Sequence, residues 1–371
     1  MINPRFMDHA LSLAARGLGR VWPNPAVGCV IERDGVVLGR ARTADGGRPH
    51  AEPQALTQAG AAAKGATAHV TLEPCAHHGR TPPCADALVA AGVARVVVAL
   101  RDPDPRVDGG GIARLRHAGI EVVEGVRAAE ARSLQVGFLS RVERGRPMVT
   151  LKLATTLDGR IATARGESQW ITGLEARAHV HAERARHDAI LVGGGTARTD
   201  DPRLTVRHHG ATHAAGPQPV RIVVSRHLDV PLDSALTRGG PATWILHGHD
   251  APVPAREALE KKGVTLVPCA TGTDGRIDLD DALSELGRRG LTRVYCEGGG
   301  RLAGSLLSAA LVDRLDCYVA GKVIGADGTP ALAAMEVDAL ADAPHLTFDG
   351  SQRLGPDLLH RWRGDWLTDA T

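Results

Sequence analysis

Pro49-His50-Ala51-Glu52, followed by Leu72-Glu73-Pro74-Cys75-Ala76-His77-His78-Gly79-Arg80-Thr81-Pro82-Pro83-Cys84, decides the fold of the first half of the chain. One imidazole and two thiols suit zinc, which prefers a tetrahedral set of nitrogen and sulfur donors. Three protein ligands, His50, Cys75 and Cys84, leave the fourth position to water, which marks a catalytic rather than a structural site. Zinc lowers the pKa of such a water toward neutrality. Glu52, two residues after the histidine, is placed to take that water's proton and pass it on. His-x-Glu alone is a weak signal. His-x-Glu at a helix start, followed by a strand and Pro-Cys at a helix N-terminus, is a strong one, because the helix dipole favours a thiolate there. The competing reading is a closed structural site with His77 or His78 as fourth ligand. It leaves Glu52 and the Glu73-Pro74-Cys75 turn unexplained.

Nucleobase deaminases built on this scheme space their cysteines as Pro-Cys-x-x-Cys. Here eight residues separate Cys75 from Cys84. That insertion has to loop out of the site. Its His77, His78 and Arg80 suit a substrate with an anionic appendage.

Outward from the motif, the pattern alternates. A helical spacing covers 7–18, and Asp34-Gly35 reads as the turn of a hairpin over 28–39. Helices are expected at 51–63, 84–91, 109–118 and 128–142, with strands at 68–72, 95–100 and 121–123. The alternation indicates a largely parallel sheet covered on both faces. Arg144-Gly145-Arg146-Pro147 breaks the rhythm as a short, polar, flexible link. It divides residues 1–145, a zinc-dependent deaminase domain, from residues 146–371, a second α/β domain. There strands are expected at 149–154, 189–192, 220–225, 243–246, 264–267 and 293–296, with helices at 174–186, 254–262, 279–289 and 302–310.

Composition narrows the partners. With 371 residues, two domains are the natural expectation. A net charge of +2 provides no field to recruit nucleic acid or an anionic membrane. Aromatic residues at 3% are too few for base-stacking platforms. No apolar run is long enough to span a bilayer, and no signal-peptide pattern opens the chain. The expected location is therefore cytoplasmic, where thiols are metal ligands or buried hydrophobes rather than disulfides.

Pro23-Asn24-Pro25-x-Val27-Gly28, the His50 and Cys75–Cys84 segments, Lys152-Leu153-Ala154-x-x-Leu157-Asp158-Gly159, Ser168-Gln169-Trp170-Ile171-Thr172, Asp200-Asp201-Pro202-x-Leu204-Thr205-x-Arg207 and Glu297-Gly298-Gly299 occur in this order. Together they closely resemble the bifunctional riboflavin-biosynthesis deaminase–reductase family over nearly the whole chain. The resemblance implies a cytidine-deaminase-like three-layer α/β domain followed by a dihydrofolate-reductase-like α/β domain. It implies one zinc ion per chain, NADPH, and a homo-oligomer, dimer or larger. It implies deamination of 2,5-diamino-6-ribosylamino-4(3H)-pyrimidinone 5′-phosphate, then reduction of its ribosyl group to ribityl. The amide of Asn24 would hold the pyrimidine edge. One position departs from the family pattern: Thr43 stands where a histidine is usual.

In the second half, Gly193-Gly194-Gly195-Thr196 and Gly298-Gly299-Gly300 follow strands. Such turns let backbone approach phosphate oxygens at a helix N-terminus. The late position of the second turn argues against a standard dinucleotide-binding order. The resemblance assigns Ala154, Trp170, Thr172, Thr196, Asp200, Ser225, Gly298, Gly299 and Gly300 to the cofactor. It assigns Asn24, Ser168, Arg184, Leu204, Arg207 and Glu297 to substrate. Arginine suits a phosphate because its planar fork donates two parallel hydrogen bonds. Lys152, on an otherwise apolar strand, is the candidate catalytic residue beside Glu297. Two other readings stay open: a nucleoside or RNA-base deaminase with an appended non-catalytic domain, and a zinc-stabilised binding module.

Overall fold

A computed structural model describes residues 3–77, 82–207 and 216–364. The chain divides into two compact units, Met1–Gly145 and Arg146–Thr371. The first contains α1 (Arg5–Ala15), β1 (Gly28–Arg33), β2 (Val36–Arg42), α2 (Ala51–Ala59), β3 (Thr67–Val70), α3 (Cys84–Ala90), β4 (Arg95–Val98), α4 (Gly110–His117), β5 (Glu121–Glu124) and α5 (Ala128–Arg144). Its sheet runs β2-β1-β3-β4-β5.

Alternation along these strands supplies two buried faces, because successive side chains point to opposite sides. Cys29, Ile31, Ala68, Val70, Val96 and Val98 face one way and pack with Ala55 of α2 and Leu88 of α3. Val30 and Val97 face the other way, against Met7 and Ala10 of α1 and Ala131 of α5. A sheet between two helical layers results. Each fully buried Ile or Leu in it contributes roughly 1.5–3 kcal/mol. The sheet is less parallel than the alternation suggests. β3, β4 and β5 pair in parallel, but β1 is antiparallel to both neighbours: to β2 because Asp34 and Gly35, both at positive φ, close a tight hairpin, and to β3 across the α2 connection.

The second unit contains β6 (Met148–Thr156), β7 (Arg160–Ala162), α6 (Leu174–Arg184), β8 (Ala189–Gly193), α7 (Gly194–Asp200), β9 (Val220–Val224), β10 (Thr243–Gly248), α8 (Val253–Lys261), β11 (Thr265–Cys269), α9 (Leu279–Arg288), β12 (Arg293–Cys296), α10 (Gly300–Ser308), β13 (Arg314–Ala320), β14 (Thr329–Pro330), β15 (Thr347–Leu354) and β16 (Asp357–Arg363). Its main sheet runs β11-β10-β9-β8-β12-β6-β13-β16-β15. Seven strands are parallel; β16 and β15 add an antiparallel hairpin at one edge. Arg146, expected in a flexible link, is instead buried. It makes a bidentate pair with Asp313 at 2.8 and 2.9 Å, and Asp313 also accepts the Val149 N–H at 2.7 Å. No described helix is long and apolar enough to cross a membrane.

Candidate active sites

His50 is the N-cap of α2, with extended φ and ψ, so its ring projects off the helix start while Glu52 occupies the first turn. Pro53 follows in that turn, where a missing N–H costs nothing. β3 leads through Glu73 and Pro74 to Cys75, and Cys84 opens α3. His50 Nδ1 lies 3.3 Å from Cys84 Sγ and 3.7 Å from Cys75 Sγ. All three donor atoms lie within 4.8 Å of one another. These are about the edge lengths of a tetrahedron built on bonds of roughly 2.0–2.3 Å. Among the described residues no fourth donor joins the group, and His77 stays outside it. His78 and Arg80 lie outside the described residues. The donor set and spacing fit zinc with one position open.

Local electrostatics agree. Cys75 is held down to about 4, first by the hydrogen bond from the Cys84 thiol, against burial, then by His50 and the Cys84 N–H at the start of α3. That bond to Cys75 pushes the Cys84 thiol up. Burial raises the Glu52 carboxyl, against the His50 charge. Glu52 Oε2 is buried and has no hydrogen-bond partner among the described residues, which leaves it available to a group in the pocket.

That pocket, about 110 Å³, is lined by Asn24, Thr43, His50, Glu52, Cys75 and His77 among others. Asn24 packs over Gly47; a Cβ there would sit 2.1 Å from Asn24 Nδ2. Thr43 accepts the Val27 N–H at 3.0 Å and donates to the Pro25 carbonyl at 3.1 Å. Its hydroxyl therefore holds the Pro23–Val27 turn that carries Asn24.

Sequence reading missed the far wall. Glu73 accepts N–H groups from Asp102 (3.3 Å), Gly109 (3.1 Å), Gly111 (2.9 Å) and Ile112 (3.1 Å), tying the 101–112 segment to the zinc turn. Its partners lie 29 to 39 residues away, beyond any local pattern. Asp102, Asp104 and Arg106 also line the pocket. The available signal was Asp102-Pro103-Asp104-Pro105 at the carboxyl end of a parallel strand, where ligands bind.

Burial, assisted by the Asp104 and Glu73 charges, pushes Asp102 up to about 7. Below pH about 4 the group is protonated whether folded or not and contributes nothing. Between there and pH 7 the folded state keeps a proton that the unfolded chain has lost, so stability falls as pH rises. Asp102→Asn keeps the oxygen that accepts the Asp104 N–H at 2.9 Å. It is expected to be nearly neutral at pH 4.5 and stabilising by about 2 kcal/mol at pH 8, read from urea midpoints at the two pH values.

In the second unit the chain continues from β8 outward to β9, but from β12 to β13 on the opposite side of β6. β8 and β12 are neighbours, so the order of the parallel strands reverses between them. Crevices at the carboxyl ends of strands at such a reversal are where ligands bind in open α/β sheets. Both glycine turns stand there, at the starts of α7 and α10. A Cβ on Gly299 would lie 3.5 Å from Thr196 Oγ1, and one on Gly298 would fall 2.6 Å from Leu302 Cδ2. The two turns thus form one cradle, opening into a cavity of about 760 Å³. Its size and bare backbone fit a dinucleotide pyrophosphate.

Register places the sugar-site candidates together. Leu151 of β6 pairs with Cys296 of β12, so Lys152 and Glu297 are the next residues on adjacent strands. Burial lowers the Lys152 ammonium, opposed by the Glu297 charge. Arg184 grips Glu297 through two bonds, 2.5 and 2.9 Å, and donates to the Thr205 carbonyl at 2.9 Å. Burial raises the Glu297 carboxyl, but Arg184 overcomes this and holds it down to about 2. Arg184 is therefore committed inside the fold, whereas Arg207 donates its backbone N–H to His181 Nδ1 at 3.3 Å. His181, which sequence reading missed, joins this cluster; burial and then the Arg184 and Arg207 charges push it down to about 4. Leu204 sits at positive φ with its side chain in the core beside Ile190 and Val223, so only its backbone faces outward chemistry.

The remaining candidates are spread. Ser168 and Trp170 line a separate cavity of about 470 Å³ with Thr156 and Lys322. Lys322 donates to the Trp170 carbonyl at 2.6 Å, and the Arg177 guanidinium lies 4.1 Å from the Trp170 ring centre. Ala154 packs against the Tyr295–Tyr318 cluster. Ser225 abuts the first glycine turn, where a Cβ on Gly194 would lie 3.3 Å from its Oγ. Thr172 precedes α6, and Asp200 ends α7 at the surface; neither lines the two cavities described here.

A zinc-site unit and an α/β unit with a nucleotide-type cradle define a protein class, a deaminase-like domain in series with a reductase-like one. Comparison with known proteins agrees. Residues 2–100 match the cytidine and deoxycytidylate deaminase zinc-binding region, and residues 147–360 match the RibD C-terminal domain. The riboflavin biosynthesis protein RibD of Escherichia coli is 44% identical over 367 residues, covering 96% of this chain and 98% of that one. RibD of Bacillus amyloliquefaciens is 40% identical over 355 residues, covering 95% and 94%. The solved Acinetobacter baumannii RibD superposes with a TM-score of 0.88 at 38% identity, covering 97% and 98%. A Thermotoga maritima structure described as a diaminohydroxyphosphoribosylaminopyrimidine deaminase/5-amino-6-(5-phosphoribosylamino)uracil reductase gives 0.84 at 32% identity, covering 97% and 98%. The chain belongs to the RibD family of bifunctional riboflavin-biosynthesis deaminase–reductases.

Proposed function

We propose that this chain binds one zinc ion through His50, Cys75 and Cys84 and uses NADPH in its second unit. It deaminates 2,5-diamino-6-ribosylamino-4(3H)-pyrimidinone 5′-phosphate, then reduces the ribosyl group, giving 5-amino-6-ribitylamino-uracil 5′-phosphate. The observation that carries this reading is the convergence of His50, Cys75 and Cys84 beside a buried Glu52 carboxylate oxygen without a partner among the described residues. Zinc, when bound, acidifies water at the open position. Glu52 would take that water's proton and deliver it to the ring nitrogen next to the amino-bearing carbon as the water oxygen bonds to that carbon, then move the remaining hydroxyl proton to the amino group, so that the C–N bond breaks and ammonia leaves. Asn24 holds the pyrimidine edge with its amide donor and acceptor.

In the second unit NADPH supplies the hydride. Lys152 polarises a sugar oxygen or hands it a proton; its lowered pKa makes the ammonium a readier donor than an exposed lysine. Glu297, fixed by Arg184, orients Lys152. Arg207 meets the substrate phosphate, with Ser168 and the Leu204 backbone as further substrate contacts. The two glycine turns, with Thr196 and Ser225, hold the cofactor, and Ala154, Trp170, Thr172 and Asp200 are its remaining neighbours.

Metal removal separates the two activities. Exhaustive dialysis against a chelator is expected to abolish ammonia release and leave NADPH oxidation intact when deaminated intermediate is supplied. Re-addition of one zinc equivalent restores deamination. Unimpaired ammonia release by metal-free protein removes the zinc reading.

A further inference from the structure

Arg207 is the phosphate contact of the reading above, yet it belongs to no helix or strand. What fixes it lies in the backbone leading up to it. Leu204 anchors the segment, with its side chain in the core. Beyond Leu204, different partners hold alternate residues. Val206 donates its N–H to Gln218 Oε1 at 2.8 Å, and its carbonyl accepts from Gln218 Nε2 at 3.3 Å. Thr205 and Arg207 meet the last turn of α6 instead. The Thr205 carbonyl accepts from Arg184 Nη1 at 2.9 Å, and the Arg207 N–H donates to His181 Nδ1 at 3.3 Å. His181 and Arg184 are three residues apart, hence neighbours on one helix face. One helix end thus grips the segment at two points, and the origin of the Arg207 side chain is set before a substrate arrives. Preorganisation of this kind cuts the ordering cost of binding.

The bond to Arg207 also dictates the state of the ring. A neutral imidazole accepts at one nitrogen and donates from the other, whereas imidazolium donates from both. His181 Nδ1 accepts the Arg207 N–H only while the ring is neutral with its proton on Nε2. The surroundings keep that form. Burial, then the Arg184 and Arg207 charges, hold the ring neutral against the opposing Glu297 charge and Thr205 carbonyl. The two arginines beside His181 therefore preserve it as the acceptor that one of them needs.

We propose that His181 is a positioning residue for the reduction: its Nδ1 holds the Arg207 backbone so that the guanidinium meets the 5′-phosphate of the deaminated intermediate. It sets the KM for that intermediate and takes no part in hydride transfer. This rests on the reading of Arg207 as the phosphate contact.

The test is steady-state NADPH oxidation by the zinc-loaded full chain, given the deaminated intermediate with its 5′-phosphate or without it. Wild type, Arg207→Gln, His181→Leu, His181→Asn and the double variant His181→Leu/Arg207→Gln are compared. An Asn side-chain oxygen occupies the place of Nδ1, so Asn keeps the acceptor and Leu removes it. Loss of one charge-assisted contact corresponds to roughly 10- to 100-fold in affinity. Arg207→Gln is expected to raise the KM for the phosphorylated substrate by about that factor. His181→Leu is expected to raise it about tenfold with kcat unchanged, the mark of lost uniform binding. His181→Asn restores most of the loss, the double variant is no worse than Arg207→Gln alone, and the KM for the dephosphorylated substrate does not move. If His181→Leu raises the KM for both substrates equally, lowers kcat, or is not rescued by Asn, His181 does not act through Arg207, although the phosphate reading stands. If Arg207→Gln fails to separate the two substrates, the phosphate reading itself fails and the proposal with it.

Discussion

Glu52→Gln is expected to lower ammonia release by about 10⁴-fold, the upper end of what a single general acid–base group contributes. The upper end applies because Glu52 is the carboxylate in the first turn after the ligand His50, and its Oε2 is buried with no hydrogen-bond partner among the described residues. Gln keeps the volume and an acceptor oxygen but cannot carry a proton between water, ring nitrogen and leaving amine. Zinc content is expected to stay at one per chain, because Glu52 lies outside the donor group. Reduction of supplied deaminated intermediate is expected to continue at the wild-type rate. Metal analysis, ammonia release and NADPH absorbance on one preparation check all three. A variant that deaminates within tenfold of wild type would remove Glu52 from the chemistry.

Arg184→Met is expected to destabilise the chain by about 3–5 kcal/mol, because it strips the buried Glu297 carboxylate of its bidentate partner and leaves only the weaker Lys152 charge to oppose its burial. The pH dependence should change sign with it. In wild type the depressed Glu297 pKa contributes stability that is full above the unfolded value and is lost as pH falls toward 2. Without Arg184, burial dominates and raises that pKa, so stability is lost as pH rises through the neutral range instead. Urea midpoints between pH 4 and pH 8 measure this. The double variant Arg184→Met/Glu297→Leu is expected to recover part of the loss, since removing both charges abolishes the desolvation penalty. A loss under 1 kcal/mol with no change in pH slope would show the pair to be dispensable, and return Arg184 to the role of phosphate ligand.

Arg184 also shows where sequence reading stops. Chemistry identifies it as a phosphate candidate, yet its partner lies 113 residues away, just after β12. The β6–β12 register brings Lys152 and Glu297 together, and the end of α6 brings Arg184 to them. The zinc site is legible because each element declares itself locally: His50 and Glu52 share a helix start, and Cys75 and Cys84 flank one loop. Glu73 is not, since its role depends on four N–H groups from a later segment. The strands of the first sheet and β8 to β12 are apolar runs bounded by turns, hence readable. β13 and the β15–β16 hairpin went unread. β15 lies mostly in solvent, with the burial needed for a period-two pattern confined to its end. α7 opens with Gly194-Gly195, which reads as a turn; it is helical because Ala197 seals it onto the core with Ile190 and Leu204.

The central claim is that one chain carries two sequential sites. Purified zinc-loaded protein is given the diamino-ribosylaminopyrimidinone phosphate with NADPH, and products are followed by mass while ammonia and NADPH are monitored. The account predicts loss of the amino group first, then a gain of two hydrogens coupled to NADPH oxidation, with the second step absent when NADPH is withheld. Ammonia release with no NADPH consumed would contradict it and leave the second unit a binding module.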